Sequence, residues 1–115
     1  MAFTKEEVQD YKIILDDFLK QKRPPLEIRD QIDIGYRIEK QSVEIFEIRP
    51  VFMKPKKKIE VPVAKTTFER TSSSWKIYWQ RSDLKWHTYE VVAEVENLDK
   101  FLKIVIEDEM GCFWG

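Results

Sequence analysis

Apolar residues in the first part of the chain recur with a helical period. In "TKEEVQDYKIILDDFLK" they are Val8, Tyr11, Leu15, Phe18 and Leu19. This spacing predicts an amphipathic helix from Lys5 to Lys22. Thr4, followed three residues later by Glu7, is typical of a capping box. Pro24 and Pro25 end the helix, because proline clashes with the preceding turn and restricts the residue before it.

The next segment, "IDIGYRIEKQSVEIFEIRP", alternates apolar and polar residues with the period of a strand. A reversal at Lys40–Gln41 brings residues 42–49 back as a second antiparallel strand. The register then sets Ile38 opposite Val43 and Arg37 opposite Glu44, so apolar residues meet on one face and opposite charges on the other. The same register places Gly35 opposite Phe46, and the glycine leaves room for the ring.

The middle of the chain contains one irregular segment and a second hairpin. "PVFMKPKKKIEVP" has three prolines, four lysines and no sustained period, which predicts an exposed, mobile basic loop over about residues 50–62. "VAKTTFER" and "WKIYWQR" flank "TSSS", so they form a hairpin with Phe68 opposite Ile77 and Arg70 opposite Trp75. A turn at Ser82–Leu84 leads to a fifth strand, Lys85–Val91.

The last segment predicts a second helix. Asn97 is suited to its N-cap and Gly111 to its C-cap, and the aromatic residues of "CFWG" should fold back onto the body. The fold class predicted for the whole chain is α+β: a five-stranded antiparallel meander sheet with an N-terminal and a C-terminal helix. Residues 1–115 are predicted to form a single domain.

Composition narrows the classes of function. The 115 residues include 20 basic and 21 acidic ones, for a net charge of −1. This balance gives no overall field toward nucleic acid or an anionic membrane, so such binding must depend on a local patch. The single cysteine cannot form an intrachain disulfide. One cysteine and one histidine are also too few ligands for a four-ligand zinc site. The chain has no signal peptide and no apolar segment long enough to span a membrane, which favours a cytosolic location.

The tryptophan-rich strands supply one candidate surface. Lys76 and Tyr78 lie on the face of their strand opposite to Trp75, Ile77 and Trp79. In the functional interpretation, tyrosine rings flanked by cations hold unstacked bases of a single-stranded nucleic acid. Its residues are Lys76, Tyr78, Arg81, Lys85, His87 and Tyr89. In the structural interpretation, Trp75, Trp79 and Trp86 belong to the core and the remaining residues cover the sheet edges.

The second candidate is the lysine run, which is the only concentrated charge in the chain. Lys56, Lys57 and Lys58, with Lys54 before them, could contact phosphates from a basic loop. The alternative is a solvated loop that only keeps the protein soluble.

Enzymatic chemistry has weaker support. Asp33 and the "EIR" of Glu47–Arg49 are loosely similar to the Asp…Glu-x-Lys pattern of metal-dependent nucleases. The proposed register sends the two carboxylates to opposite faces, which argues against a shared metal ion. His87 lacks a well-placed nucleophile, and acidic neighbours disfavour a thiolate at Cys112. We therefore assign no catalytic residue, metal or cofactor.

Three blocks of the sequence resemble a known family. "GYRIEKQSVEIFEIRP", "PVAKTTFERTSSSWKIYWQRSDLKWHTYE" and "FLKIVIEDEMGCFWG" are similar to the family described as domain of unknown function 3024. The resemblance implies a bacterial, stand-alone, single-domain protein, and it supplies no substrate, cofactor or catalytic residue.

Together these observations favour a non-enzymatic binding module that acts through the aromatic–basic sheet face. Its partner would be single-stranded nucleic acid, another protein or a second copy of the chain, because the edges of a meander invite pairing. The alternative is a small metal-dependent nuclease or phosphodiesterase that uses the carboxylates of the first hairpin.

Overall fold

The computed structural model describes residues 2–114 and every side chain among them except that of Pro55. The elements, in chain order, are α1 (Lys5–Lys22), a 3₁₀ turn (Leu26–Ile28), β1 (Asp33–Glu39), β2 (Ser42–Val51), β3 (Lys54–Glu69), β4 (Ser74–Gln80), β5 (Trp86–Thr88), β6 (Glu94–Val95) and α2 (Leu98–Glu107). The strands form an antiparallel meander in the order β1-β2-β3-β4-β5, and the short β6 also pairs with β4. The predicted α+β class is confirmed.

Local signals define the start of both helices. The Thr4 hydroxyl accepts a hydrogen bond from the Glu7 amide at 3.1 Å, and the Glu7 carboxylate accepts one from the Thr4 amide at 2.9 Å. This reciprocal pair is the predicted capping box. The side-chain oxygen of Asn97 accepts from the Lys100 amide at 2.9 Å, so the second predicted N-cap is also confirmed.

The predicted end of α2 is wrong. The helix ends at Glu107, and its C-cap is Asp108 in the left-handed conformation rather than Gly111. The Asp108 carboxylate accepts hydrogen bonds from the amides of Phe113 and Trp114, at 3.0 and 2.9 Å. This side chain draws the end of the chain back, so the predicted return of the closing aromatic residues is confirmed.

The register of the first hairpin is as predicted. Ile38 pairs with Val43, Arg37 with Glu44 and Gly35 with Phe46. A Cβ atom at Gly35 would lie 2.9 Å from Cε1 of the Phe46 ring, which is closer than such atoms pack. Glycine at this position therefore permits the ring to lie against the strand.

The prediction of a mobile loop over residues 50–62 is wrong, because this segment forms β strands. β2 continues to Val51 and β3 begins at Lys54, so only Phe52 and Met53 form the turn. The pairing of β2 with β3 shifts register at two places. One shift lies between Ile45 and Phe46, where Phe46 pairs with Pro62, and the other follows Pro50. Proline cannot donate to a ladder but is tolerated at bulges and edges, so these residues interrupt the strand pairing locally without ending it.

The second hairpin forms with a register that differs from the prediction by two residues. Phe68 lies opposite Trp75 rather than Ile77. Arg70 lies in the turn, and its guanidinium reaches the Glu7 carboxylate of α1 at 2.8 Å. A contact between the turn and the first helix thus accompanies the observed pairing, and periodicity within the hairpin contains no information about that contact.

The fifth strand is shorter than the predicted Lys85–Val91. After β5, the Tyr89 amide donates to the Ile77 carbonyl, and the Ile77 amide donates to the Ala93 carbonyl. Residues 90–92 therefore lie outside the ladder, between two backbone hydrogen bonds that both involve Ile77. The chain then pairs with β4 again as β6.

Both helices cover the same face of the sheet and leave the other face open. The core combines apolar side chains of α1, α2 and the covered face, with Leu15, Ile45, Ile77, Phe101 and Val105 fully buried. Thr66 is buried among them, and its hydroxyl donates to the Lys76 carbonyl at 2.7 Å. Within residues 2–114, no helix is long and apolar enough to cross a membrane.

Candidate functional site

The hairpin between β2 and β3 extends past the rest of the sheet. Ile48 is paired with Asp33, the first residue of β1, and β3 does not pair with β4 until Lys65. We call residues 49–60 the arm. Its two strands have only each other as ladder neighbours within the described part of the chain. At about 3.3 Å per residue, the three residues before the turn extend about 10 Å.

The arm concentrates positive charge on an otherwise acidic protein. Residues 49–60 contain five basic residues and one acid, which leaves 15 basic and 20 acidic residues for the rest of the chain. Every described side chain from Phe52 to Glu60 is exposed. Arg49 pairs with Glu47 at 3.1 Å, and Lys58 donates to the Asp30 carbonyl.

The other three arm lysines have no such partners. Within residues 2–114, the side chains of Lys54, Lys56 and Lys57 make no ion pair or hydrogen bond. Their ammonium groups are therefore available to an external anion without breaking an internal interaction.

The tip of the arm is apolar. Phe52 is 89% exposed and Met53 is 81% exposed, and neither belongs to the core cluster of the described residues. Met53 has a φ of 74°, in the left-handed region. A residue with a Cβ atom pays about 1–2 kcal/mol in this conformation, and here no burial offsets that cost.

The open sheet face also carries cations, but carboxylates neutralise most of them. Lys76 lies 2.7 Å from Glu94 and 4.0 Å from Glu69. The hydrogen bond between Lys76 and Glu94 raises the pKa of the lysine and lowers that of the carboxyl. Arg37 is likewise paired, 2.6 Å from Glu60. These cations already have carboxylate partners, so they offer little free charge to a ligand.

Aromatic rings remain available on this face. Tyr78 is half-buried and lies opposite Lys65 on one side and Thr88 on the other. The ammonium group of Lys65 is 5.8 Å from the ring centroid of Trp86. Trp86 therefore lies on the open face, and its predicted place in the core is wrong, whereas Trp75 is buried as expected.

The prediction that Tyr89 belongs to the aromatic–basic binding surface is wrong. It is only 2% exposed and packs against Phe113, with ring centroids 4.9 Å apart. Burial raises the pKa of its phenol. Since the chain turns inward after β5 toward the returning end of the chain, Tyr89 cannot serve as a ring on which a base stacks.

The remaining predicted residues lie elsewhere. Arg81 covers the ring of Trp79 at 5.6 Å, and His87, paired across the ladder with Trp79, contacts Asp83 at 2.8 Å. Trp79, Arg81 and His87 line a cleft of about 460 Å³ beside Cys112. Burial, with a smaller effect from Asp108, raises the pKa of the Cys112 thiol.

Lys85 is exposed at the same turn, and the hydrogen bond from its amide is the largest cause of the lowered pKa of Asp83. The predicted constellation is therefore divided among three places. They are the open face (Lys76, Tyr78), the cleft and its turn (Arg81, Lys85, His87, Tyr89) and the arm (Lys56, Lys57, Lys58).

The carboxylates of the first hairpin do not converge. Asp33 accepts two hydrogen bonds from Arg23, at 2.7 and 2.8 Å, which lower its pKa. Asp33 is paired with Ile48 and Glu47 with Ile34, so the two carboxylates start from opposite faces of the sheet. No group of three or more histidine, cysteine or acidic residues within the described range is arranged to hold a metal ion.

Sequence reasoning missed the tip of the arm and the pairing of Lys65 with Trp86. One signal was present: Ile59, Val61 and Val63 alternate with polar or proline residues, as expected for a strand. With strands on both sides, the two residues between them become a turn. That step would have identified Phe52 and Met53 as an exposed tip.

Comparison with known proteins identifies a family. Residues 3–115 match the model of a family described as domain of unknown function DUF3024. The match covers nearly the whole chain, so the protein belongs to this family, as the sequence motifs predict. Searches of curated proteins and of solved structures give no match.

Proposed function

We propose that this member of the DUF3024 family is a non-enzymatic nucleic-acid-binding module, and that the arm is its principal contact. The observation that carries the proposal is the separation of charge. Five basic residues and a single acid lie within residues 49–60, on a chain whose other residues are acidic overall. A polyanion is attracted by the arm and repelled by the body, which fixes the orientation of binding.

The chemistry of the contact is that of phosphate neutralisation. Lysines that bind phosphates release condensed counterions, and this release supplies most of the affinity of sequence-independent binding. Lys54, Lys56 and Lys57 are exposed and have no ion-pair partner among the described residues.

The open sheet face has a secondary role in this proposal. Tyr78 and Trp86, with the ammonium group of Lys65 near the Trp86 ring, offer ring surfaces to bases outside a duplex. Lys76 contributes little, because Glu94 already neutralises it. The single thiol, Cys112, suits a reducing compartment, so we place the module in the cytosol.

The experiment is a salt titration of binding. Fluorescence anisotropy would measure the affinity of the protein for labelled single-stranded and double-stranded 20-mers between 50 and 200 mM KCl. Four neutralised phosphates give a slope of log K against log salt of about −3.6 for duplex and about −2.8 for single strands. Replacing Lys54, Lys56, Lys57 and Lys58 with glutamine should bring the slope close to zero and weaken binding at 50 mM at least tenfold.

A matched variant controls for net charge. Lys5, Lys12, Lys20 and Lys103 are exposed lysines on the helices, and their replacement with glutamine removes the same four charges. This variant should retain most of the affinity and the slope. Equal losses in the two variants, or no binding by the native protein at 50 mM salt, would overturn the proposal.

A further inference from the structure

Phosphate binding does not account for the composition of the arm tip. The two residues that extend farthest, Phe52 and Met53, are both apolar and both largely exposed. A tip that only contacted phosphates would be served by polar residues, and a tight turn by glycine or asparagine. Met53 instead has a left-handed backbone conformation while its side chain is left in solvent.

The surroundings of the tip indicate what it meets. Lys54 follows the turn directly, and Lys56 and Lys57 lie two and three residues farther along β3. An apolar pair flanked by free cations is complementary to a surface that has phosphates outside and an apolar interior a few ångströms behind them. Stacked base pairs have this arrangement, and phenylalanine and methionine are among the side chains that wedge between base steps.

We infer that Phe52 and Met53 form a wedge that enters a base step of double-stranded nucleic acid and kinks it. This inference rests on the proposed nucleic-acid binding and adds how the arm tip would contact the duplex. The arm lysines hold the phosphates on each side of the step while the tip unstacks it. Flexible pyrimidine–purine steps should be preferred, because they are the least costly to open.

A membrane surface has related chemistry, but the charges favour the duplex. Outside the arm, the protein has 20 acidic and 15 basic residues. The arm extends only about 10 Å, which is close to the screening length at physiological salt. A flat anionic membrane would bring this acidic body within range of repulsion, whereas a narrow duplex meets mainly the arm.

The test uses 2-aminopurine placed beside a central TA step in a 20-base-pair duplex. Unstacking of this base raises its fluorescence, and saturating native protein should raise it at least twofold. The double variant Phe52→Ala/Met53→Ala should abolish the rise while weakening binding by less than tenfold, since the lysines remain. Leu84→Ala is the control, because Leu84 is also apolar, 76% exposed and left-handed, but lies in a turn of the body.

The possible outcomes separate the two proposals. Duplex binding by the native protein without a rise in 2-aminopurine fluorescence would overturn the wedge and leave nucleic-acid binding intact. A rise that persists in the double variant would also overturn it. No duplex binding, together with co-sedimentation with vesicles of 70% phosphatidylcholine and 30% phosphatidylglycerol that requires Phe52 and Met53, would overturn both proposals and make the tip a membrane contact.

Discussion

Two regions of this protein contain the same kinds of residue, aromatic and basic, in opposite environments. Beneath the start of α1, the rings of Phe3, Tyr11, Phe68 and Trp75 pack against one another, with centroids 4.9 to 6.5 Å apart. At the edge of this aromatic cluster, Arg70 is held by Glu7 at 2.8 Å. On the arm, Phe52 and three lysines have exposed side chains that make no such contact with the described residues.

The difference lies in what covers each region. The aromatic cluster is covered by α1, so its rings are buried or half-buried and its cation meets a carboxylate of that helix. The arm continues beyond its neighbouring strands, so its one aromatic ring and three of its lysines face solvent. Residue type alone therefore does not distinguish a stabilising cluster from a recognition surface, because the layer above each region decides.

The largest expected effect tests whether the two regions differ in stability. Trp75→Ala should lower the free energy of unfolding by about 3–5 kcal/mol, since it removes a buried ring from the cluster. Phe52→Ala should change it by less than about 0.5 kcal/mol, because the ring is already in water. Urea unfolding followed by circular dichroism measures both. A cost above about 1 kcal/mol for Phe52→Ala would mean that the tip packs on the protein and that the comparison fails.

A smaller effect concerns the backbone of the tip. Met53→Gly should raise the free energy of unfolding by about 0.5 kcal/mol, because relief of the left-handed conformation exceeds the added chain entropy of glycine. Ser73 in the β3–β4 turn is also left-handed, with a φ of 50°. The variant Ser73→Gly therefore provides the control for relief of this backbone conformation. Urea midpoints at an unchanged m-value measure both. A loss of stability in Met53→Gly would show that the Met53 side chain makes a stabilising contact.

A further expected effect is a pH dependence of stability that arises at the edge of the aromatic cluster. The hydrogen bond from Arg70 is the largest cause that lowers the pKa of Glu7 from 4.5 to about 2. In that interval the unfolded state binds more protons than the folded state, so this contribution is present above pH 4.5 and is lost as the pH falls toward 2.

Thermal unfolding measured from pH 6 to pH 2 checks this expectation. In Glu7→Gln, the part of the acid-induced decrease in melting temperature that belongs to this pair should disappear. Glutamine substitution of the arm lysines should leave the shape of the profile unchanged. Identical profiles for the native protein and Glu7→Gln would show that the pair contributes no pH-dependent stability.

Sequence alone determined the features that depend on near neighbours along the chain. The capping box at Thr4, the end of α1 before Pro24 and the pairing of Gly35 with Phe46 follow from spacings of a few residues. In these cases the interacting groups are held together by the helix or hairpin itself, so periodicity and turn chemistry are sufficient. The α+β class follows from the order of the same elements.

Tertiary structure decided the rest, and with it the candidate site. The register of β3 on β4 is accompanied by the Arg70–Glu7 contact with a distant helix, and the burial of Tyr89 involves Phe113, which the Asp108 carboxylate draws back. Strands formed across the proline-rich segment because bulges in the β2–β3 pairing accommodate Pro50 and Pro62. The β3–β4 register and the burial of Tyr89 depend on which surfaces the folded layers cover, and no local pattern of residues encodes that coverage.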